Sequence, residues 1–335
     1  MFKHFHLQPY NTFGFQVTCE AFVSITSESE FIEHIKQKVF NHKRLVLGGG
    51  SNVLFTNDFD GTVIWNQIKG IETVNENDDH IWLKVGAGEV WHQFVMHCVA
   101  NNYGGIENLS LIPGYVGAAP MQNIGAYGVE IKDVCESVEY ISFETGKKHT
   151  LPAESCNFGY RESIFKHELK DKVFITHVTV KLNKKHSLNT HYGAIEQELT
   201  TKGIKNPTIQ DVSEAVIAIR SSKLPDPKQI GNAGSFFKNP VISTSQAALL
   251  VKKHPNVAMY PTPEGVKLAA GWLIENAGWK GFTRGSVGVH KKQALVLVNY
   301  GNGTGNEILT LSENIQEDVF QKFGVKLERE VNLVS

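Results

Sequence analysis

The sequence of this 335-residue chain predicts an α+β fold. Three observations carry that expectation. Residues 134–145 and 173–182 alternate apolar and polar side chains as half-buried strands do, with Phe174, Val178, Val180 and Leu182 on one face of the second. Val212, Ala215, Val216 and Ile219 recur at i, i+3, i+4 and i+7, the spacing of an amphipathic helix. Two glycine turns follow strands, yet neither completes the dinucleotide fingerprint: G-x-G-x-x-G needs glycine where the chain has Val53 and, after Gly86-Ala87-Gly88, Trp91. A Rossmann domain is therefore not expected.

Taken in order, residues 17–25 read as a strand and 31–39 as a short helix with apolar residues at 31, 32, 35 and 39. Arg44-Leu45-Val46-Leu47 is a buried strand that runs into Gly48-Gly49-Gly50-Ser51-Asn52-Val53-Leu54. Further strands are expected at 62–66 and 82–85, and a helix at 90–101 ended by Gly104-Gly105. The Leu224-Pro225-Asp226-Pro227-Lys228 break is the best candidate domain boundary, since two prolines in three residues stop a helix. Beyond it, helices are expected at about 244–253, 266–276 and 306–323, with a strand at 294–299. In the final segment Val325, Leu327, Val331 and Leu333 should share one face and Glu328, Glu330 and Asn332 the other.

The most informative stretch runs from Ile112 to Gly128, Ile-Pro-Gly-Tyr-Val-Gly-Ala-Ala-Pro-Met-Gln-Asn-Ile-Gly-Ala-Tyr-Gly. Glycine lets backbone approach a ligand closely, and the prolines stiffen the path. With few side-chain donors, backbone N–H groups become the natural partners for an anion. Composition alone serves a tight core turn equally well. The second stretch of the same kind at 48–54 favours the ligand reading, with Ser51 and Asn52 as polar tips.

Composition narrows the classes. Hydrophobic residues make up 41% and charged residues 20%, ordinary globular values, and a formal net charge of −1 leaves no electrostatic footprint for nucleic acid or an anionic membrane. No apolar run reaches transmembrane length, and the start lacks the apolar core of a signal peptide. The four cysteines form no C-x-x-C pair and read as buried thiols in a reducing cytoplasm. Fourteen histidines are scattered without H-E-x-x-H, so no metal is expected.

Gly48–Leu54, Ile112–Gly128, Phe158-Gly159-Tyr160-Arg161, Gly231–Pro240 and Leu327-Glu328-Arg329-Glu330-Val331 occur in the order found in the UDP-N-acetylenolpyruvoylglucosamine reductase family, which the chain resembles from Asn11 to Val331. It is similar to the form with a tyrosine-bearing substrate loop, here Thr190-His191-Tyr192-Gly193. The resemblance implies three domains. Residues 1–66, joined by 325–335, and 67–222 would form a vanillyl-alcohol-oxidase-like FAD-binding fold, and 223–324 the substrate domain. It implies noncovalent FAD, with NADPH as hydride donor and an enolpyruvyl nucleotide sugar as substrate, in a cytoplasmic monomer that serves peptidoglycan precursor synthesis.

The same resemblance assigns site residues. Arg161 would clamp the substrate carboxylate, Ser235 would donate the proton to C2, and Glu330 would assist the developing charge. FAD would lie on Gly48, Gly49, Gly50, Ser51, Asn52, Val53, Leu54, Ile112, Pro113, Gly114, Gly117, Ala118, Gln122, Asn123, Gly125, Ala126, Tyr127 and Gly128. Tyr160, Tyr192, Lys223, Asn239, Tyr260, Lys267 and Gln293 would meet substrate. Where some relatives carry arginine after Glu-Val, this chain has Asn332. Two other readings remain at this point. One is an oxidoreductase of the same fold with another substrate; the absence of His and Cys from 48–55 favours noncovalent flavin over an oxidase. The other is a nucleotide-sugar binding protein, which leaves the arginine, serine and glutamate unexplained.

Overall fold

The computed structural model describes residues 2–335, which form two compact units. The first comprises residues 2–5, Cys19–Gly49 and Asp60–Ser222; the second comprises His6–Thr18, Gly50–Phe59 and Lys223–Ser335.

The first unit is built on a five-stranded sheet in the order Lys148–Pro152, Cys135–Ser142, Val173–Asn183, His80–Gly86, Ile71–Glu76, antiparallel throughout. Val173–Asn183 is central, and this corrects the half-buried expectation: Thr176 and Thr179 are buried as well as Phe174 and Val178. A strand covered on both faces keeps its hydroxyls only by hydrogen bonding, and Thr176 Oγ1 donates to the Glu139 carbonyl. The helix Trp91–Ala100 seals one core through Trp91, Phe94, Val95 and Cys98. A second core gathers Phe31, Phe40, Ile64 and Phe174, where Phe31 stacks on Phe174 at 4.1 Å between ring centroids. The helix bearing Phe31 spans Glu28–Lys36, capped by Ser27, and ends before the expected Val39 because Lys38 turns left-handed at φ 58°. The helix Ile209–Lys223 packs Val212, Ala215, Val216 and Ile219 against Ile195 and Leu199.

Within that sheet lies a half-buried charge cluster. Glu139 meets Lys84 and Lys148 at 2.7 Å each, and Glu28 meets Lys148 at 2.9 Å and His177 at 3.2 Å. Glu28, Glu139 and His177 are close enough to share an ion, but the two lysines already neutralise the carboxylates. Burial alone would raise the Glu139 pKa; hydrogen bonds from Lys148 and Lys84 outweigh it and hold the group below the ordinary carboxylate range. A depressed folded pKa stabilises above the unfolded value of about 4.3 and loses that stabilisation as pH falls through the folded value. Thermal unfolding should therefore fall as acid passes below about pH 4, and Glu139→Gln should flatten that limb. An unchanged acid limb in Glu139→Gln would remove the cluster from the account.

The second unit contains a four-stranded sheet in the order Gly231–Ser235, Val296–Asn299, Val287–Val289, Thr283–Arg284, and a three-stranded sheet in the order Val241–Ile242, Gly265–Leu268, Met259–Thr262. The latter corrects the expected helix at 266–276: residues 265–268 pair as a strand, and the helix is the shorter Ala270–Asn276. The helix Gly305–Phe323 opens on a Thr304–Glu307 capping box and ends at left-handed Gly324. In the final segment only Asn332–Val334 is a strand, parallel to Val53–Phe55. Val325, Leu327 and Val331 are buried as expected, but Leu333 is 45% exposed and Val334 is buried instead. The simple alternation fails because the chain changes pairing partner after Glu330, from residues 236–238 to Asn52 and Val53.

All four cysteines are free and buried. Burial pushes the thiol of Cys19 up to about 11 and those of Cys135 and Cys156 up to about 12, which makes them inert at neutral pH. Among the described residues no helix is long and apolar enough to cross a membrane.

Candidate active site

In the first unit, the strand Arg44–Leu47 runs parallel to Phe59–Asn66 and delivers Gly48 and Gly49 directly onto the central loop. A Cβ on Gly49 would lie 3.0 Å from Gly114 Cα, so two stretches of bare backbone meet there. The loop itself is strapped down. Trp91 N–H donates to the Gly114 carbonyl, Val116 N–H to Glu89 and Gly117 N–H to Ala87. Ala118 N–H bonds Tyr115, so Gly117 and Ala118 have no N–H left for a ligand, contrary to a nest running through them. Asn123 is likewise a scaffold residue. Fully buried and left-handed (φ 44°), it donates to Glu130 and to the Gly159 carbonyl and accepts from Lys132 N–H.

Arg161 arrives on the other side of the loop. Its guanidinium donates to the Gly125 carbonyl at 2.7 Å and the Asn123 carbonyl at 3.4 Å and lies over the Tyr160 ring at 5.3 Å. Its φ of 58° is a strained left-handed value for a side-chain-bearing residue, which marks a position held by its surroundings. Tyr160, Arg161, Gly125 and the loop are thus brought together. Tyr127, also left-handed, meets Tyr192 edge-on at 5.3 Å between ring centroids. Tyr192 is 51% exposed and precedes the helix Gly193–Thr201. Asn108, which sequence reasoning missed, ties these pieces together: its amide donates to the carbonyls of Tyr127 and Asn189 at 3.0 and 2.9 Å. The signal for it was an asparagine in the buried run Ile106-Glu107-Asn108-Leu109.

In the second unit, Ser235 ends the strand Gly231–Ser235, whose pairing with Val296–Asn299 slips by one residue between Asn232 and Ser235. This bulge, at left-handed Gly234 (φ 69°), turns Ser235 outward to solvent while Phe236 and Phe237 stay buried. Glu330 lies alongside: its N–H donates to the Phe236 carbonyl at 2.8 Å, and Lys238 N–H donates to Glu328 at 2.9 Å. The serine and the glutamate are therefore on adjacent, hydrogen-bonded backbones. Asn52 clamps this segment, donating to the Glu330 carbonyl at 3.2 Å while Asn332 donates to the Asn52 carbonyl from both its N–H and its amide. Asn332 thus has a structural partner in Asn52. Gly50 beside it is left-handed at φ 60°, and its backbone lies so close to the Tyr10 carbonyl that a Cβ would collide.

The remaining expected substrate residues are dispersed. Tyr260 and Lys267 are cross-strand neighbours, with Tyr260 59% exposed. Asn239 accepts from Ala270 N–H at 2.9 Å and so caps the helix Ala270–Asn276, a task the sequence did not reveal. Gln293 accepts from Leu295 N–H beside Gly271, and Lys223 closes the helix Ile209–Lys223. Leu54 is wholly buried, so only its backbone is available to a ligand.

The loops 48–54 and 112–128 contain no aspartate or glutamate, and glycine backbone meets glycine backbone between them. Such a cradle suits a diphosphate. The residues present fit FAD on chemistry, because uncharged backbone and polar tips repel no phosphate. Residues 19–151 match the model of an FAD binding domain, and residues 226–334 that of the UDP-N-acetylenolpyruvoylglucosamine reductase C-terminal domain. An FAD-dependent oxidoreductase is the class that these findings define. The chain is 52% identical over 334 residues to the UDP-N-acetylenolpyruvoylglucosamine reductase of Flavobacterium johnsoniae, covering 99% of each chain, and 48% identical to that of Amoebophilus asiaticus, covering 98% of this chain and 97% of the relative. The crystal structure of the corresponding reductase from Thermus caldophilus superposes with a TM-score of 0.68 at 24% identity, covering 98% and 97%. The chain belongs to the UDP-N-acetylenolpyruvoylglucosamine reductase family.

Proposed function

We propose that this protein reduces the enolpyruvyl ether of UDP-N-acetylglucosamine to UDP-N-acetylmuramate, and that Ser235, Glu330 and Arg161 carry the chemistry. The observation that bears most on it is that bulge-exposed Ser235 and Glu330 stand on adjacent backbones, joined by the Glu330 N–H to Phe236 carbonyl hydrogen bond. When bound between residues 48–54 and 112–128, FAD would supply the hydride chemistry that links NADPH to C3 of the enol ether. Ser235 then gives its hydroxyl proton to C2, where negative charge develops. Serine is a weak acid in water, but a carbanionic acceptor is basic enough to take its proton. Arg161 presents a guanidinium suited to bidentate contact with the substrate carboxylate, onto which that charge spreads. Glu330 orients the partners of that charge.

Gly48–Leu54 and Ile112–Gly128 hold the cofactor, and Tyr160, Tyr192, Lys223, Asn239, Tyr260, Lys267 and Gln293 serve the substrate. We assign residues 1–66 with 325–335, and 67–222, to FAD binding and 223–324 to substrate binding, in a monomeric cytoplasmic enzyme that binds no nucleic acid. NADPH and substrate use one pocket in turn, since the chain has no separate dinucleotide fingerprint.

Tyr192 tests the substrate side. Its exposure and its place before a short helix fit a residue that reaches a diphosphate when its loop closes. Tyr192→Phe should weaken substrate binding by about tenfold or more, the loss of one hydrogen bond to a charged group, with NADPH reduction of the protein near normal. Unchanged saturation by substrate would refute the loop assignment. The reaction as a whole is tested by NADPH oxidation with and without the enolpyruvyl sugar nucleotide.

A further inference from the structure

Arg220, in the last turn of the helix Ile209–Lys223, is a cation that none of the assigned roles uses. Its guanidinium is half-buried: Nε donates to the Leu111 carbonyl at 3.3 Å, and the Tyr127 phenol lies near enough to favour the charged form. Burial pulls its pKa below the usual arginine range, with Tyr127 opposing that shift. Among the described residues no carboxylate pairs with it. Beside it stand His92, whose Nδ1 accepts from Leu111 N–H and whose pKa is lowered by burial and by Arg220, and Tyr127, which packs edge-on against Tyr192.

A half-buried cation without a carboxylate partner carries part of the desolvation cost of a buried charge, and that cost is relieved when an anion pairs with it. The Leu111 carbonyl, the Tyr127 phenol and the carboxyl end of the helix offset part of that cost, but none carries a full negative charge. Nε is engaged by Leu111, which leaves the four N–H groups of the two terminal nitrogens, in a planar fork that matches phosphate geometry. The position is specific. Leu111 opens the central loop, Tyr127 closes it, and Tyr192 heads the substrate loop.

We infer that Arg220 is an anion-binding residue whose missing partner is a diphosphate, placed between the Leu111–Tyr127 loop and Tyr192. FAD and the sugar nucleotide both carry that group, and the test separates them. The inference rests on the proposed function, yet the two fail apart: wild-type protein that binds neither FAD nor UDP refutes the function, not the role of Arg220 alone.

The experiment measures FAD affinity of apoprotein by fluorescence quenching, UDP affinity of holoprotein by calorimetry, and melting of apoprotein, in wild type, Arg220→Met and Arg220→Lys. Arg220→Met should weaken one of the two ligands by about tenfold or more, Arg220→Lys should fall between, and the Arg220→Met apoprotein should melt no lower than wild type. Loss confined to UDP assigns the guanidinium to the sugar nucleotide, and loss confined to FAD assigns it to the cofactor. Both affinities unchanged would overturn the inference. If Arg220→Met melts markedly lower, Arg220→Lys decides: weakened binding with wild-type melting supports the role, and wild-type affinity makes Arg220 a structural prop.

Discussion

Ser235→Ala will leave reduction of the protein by NADPH near its wild-type rate and slow reduction of the enolpyruvyl sugar nucleotide by about 10² to 10⁴, the usual loss when a positioned general acid is removed. The asymmetry is the point. Hydride transfer from NADPH needs no proton at the sugar, whereas the second half-reaction needs one when charge appears at C2. The variant is clean because Ser235 is exposed beside the bulge and alanine keeps its β-carbon, removing only the hydroxyl. Ser235→Cys keeps a donor in place and should fall between. Flavin absorbance in stopped flow follows both halves, bleaching with NADPH and recolouring with substrate. Equal slowing of both halves, or of neither, would reduce Ser235 to a packing residue.

Gly50→Ala should give unstable, colourless protein. Two effects add at this residue. The left-handed φ of 60° costs a side-chain-bearing residue about 1–2 kcal/mol, and the new methyl would collide with the Tyr10 carbonyl, so the backbone must move. That movement would displace Ser51 and Asn52, and Asn52 holds the Glu330 carbonyl. The control is Gly203→Ala, where φ is 70° but nothing lies within 4 Å of the added carbon. It should show the strain alone, about 1 kcal/mol, with full flavin content. Gly50→Ala with wild-type flavin occupancy and melting temperature would show that the 48–54 loop is not a fixed cradle.

Much of this was legible in the sequence because the informative signals are local. The strands at 18–25, 44–47 and 296–299 and the helices at 209–223 and 305–323 follow from periodicity and caps. What stayed hidden depends on pairing between distant segments. The strand at 265–268 exists because it pairs with both 259–262 and 241–242, which overrides a helical pattern. The burial of Val334 in place of Leu333 follows from the parallel pairing with residues 53–55. Within the site, glycine-rich loops and the Arg161, Ser235 and Glu330 motifs stood out by composition and by resemblance. The single-residue slip that turns Ser235 outward left only Gly234 as its trace. Asn108 and Arg220 were invisible as site residues, because their partners are backbone carbonyls that have no sequence signature.

The central claim is that bound FAD carries electrons from NADPH to an enolpyruvyl sugar nucleotide on this chain. It is tested most directly by mixing the purified protein anaerobically with one equivalent of NADPH and then adding the enolpyruvyl sugar nucleotide. The account predicts a yellow protein that bleaches with NADPH and regains its flavin absorbance on the second addition, with one UDP-N-acetylmuramate formed per NADPH consumed. A colourless protein, or one that bleaches and is not recoloured by that substrate, would contradict it.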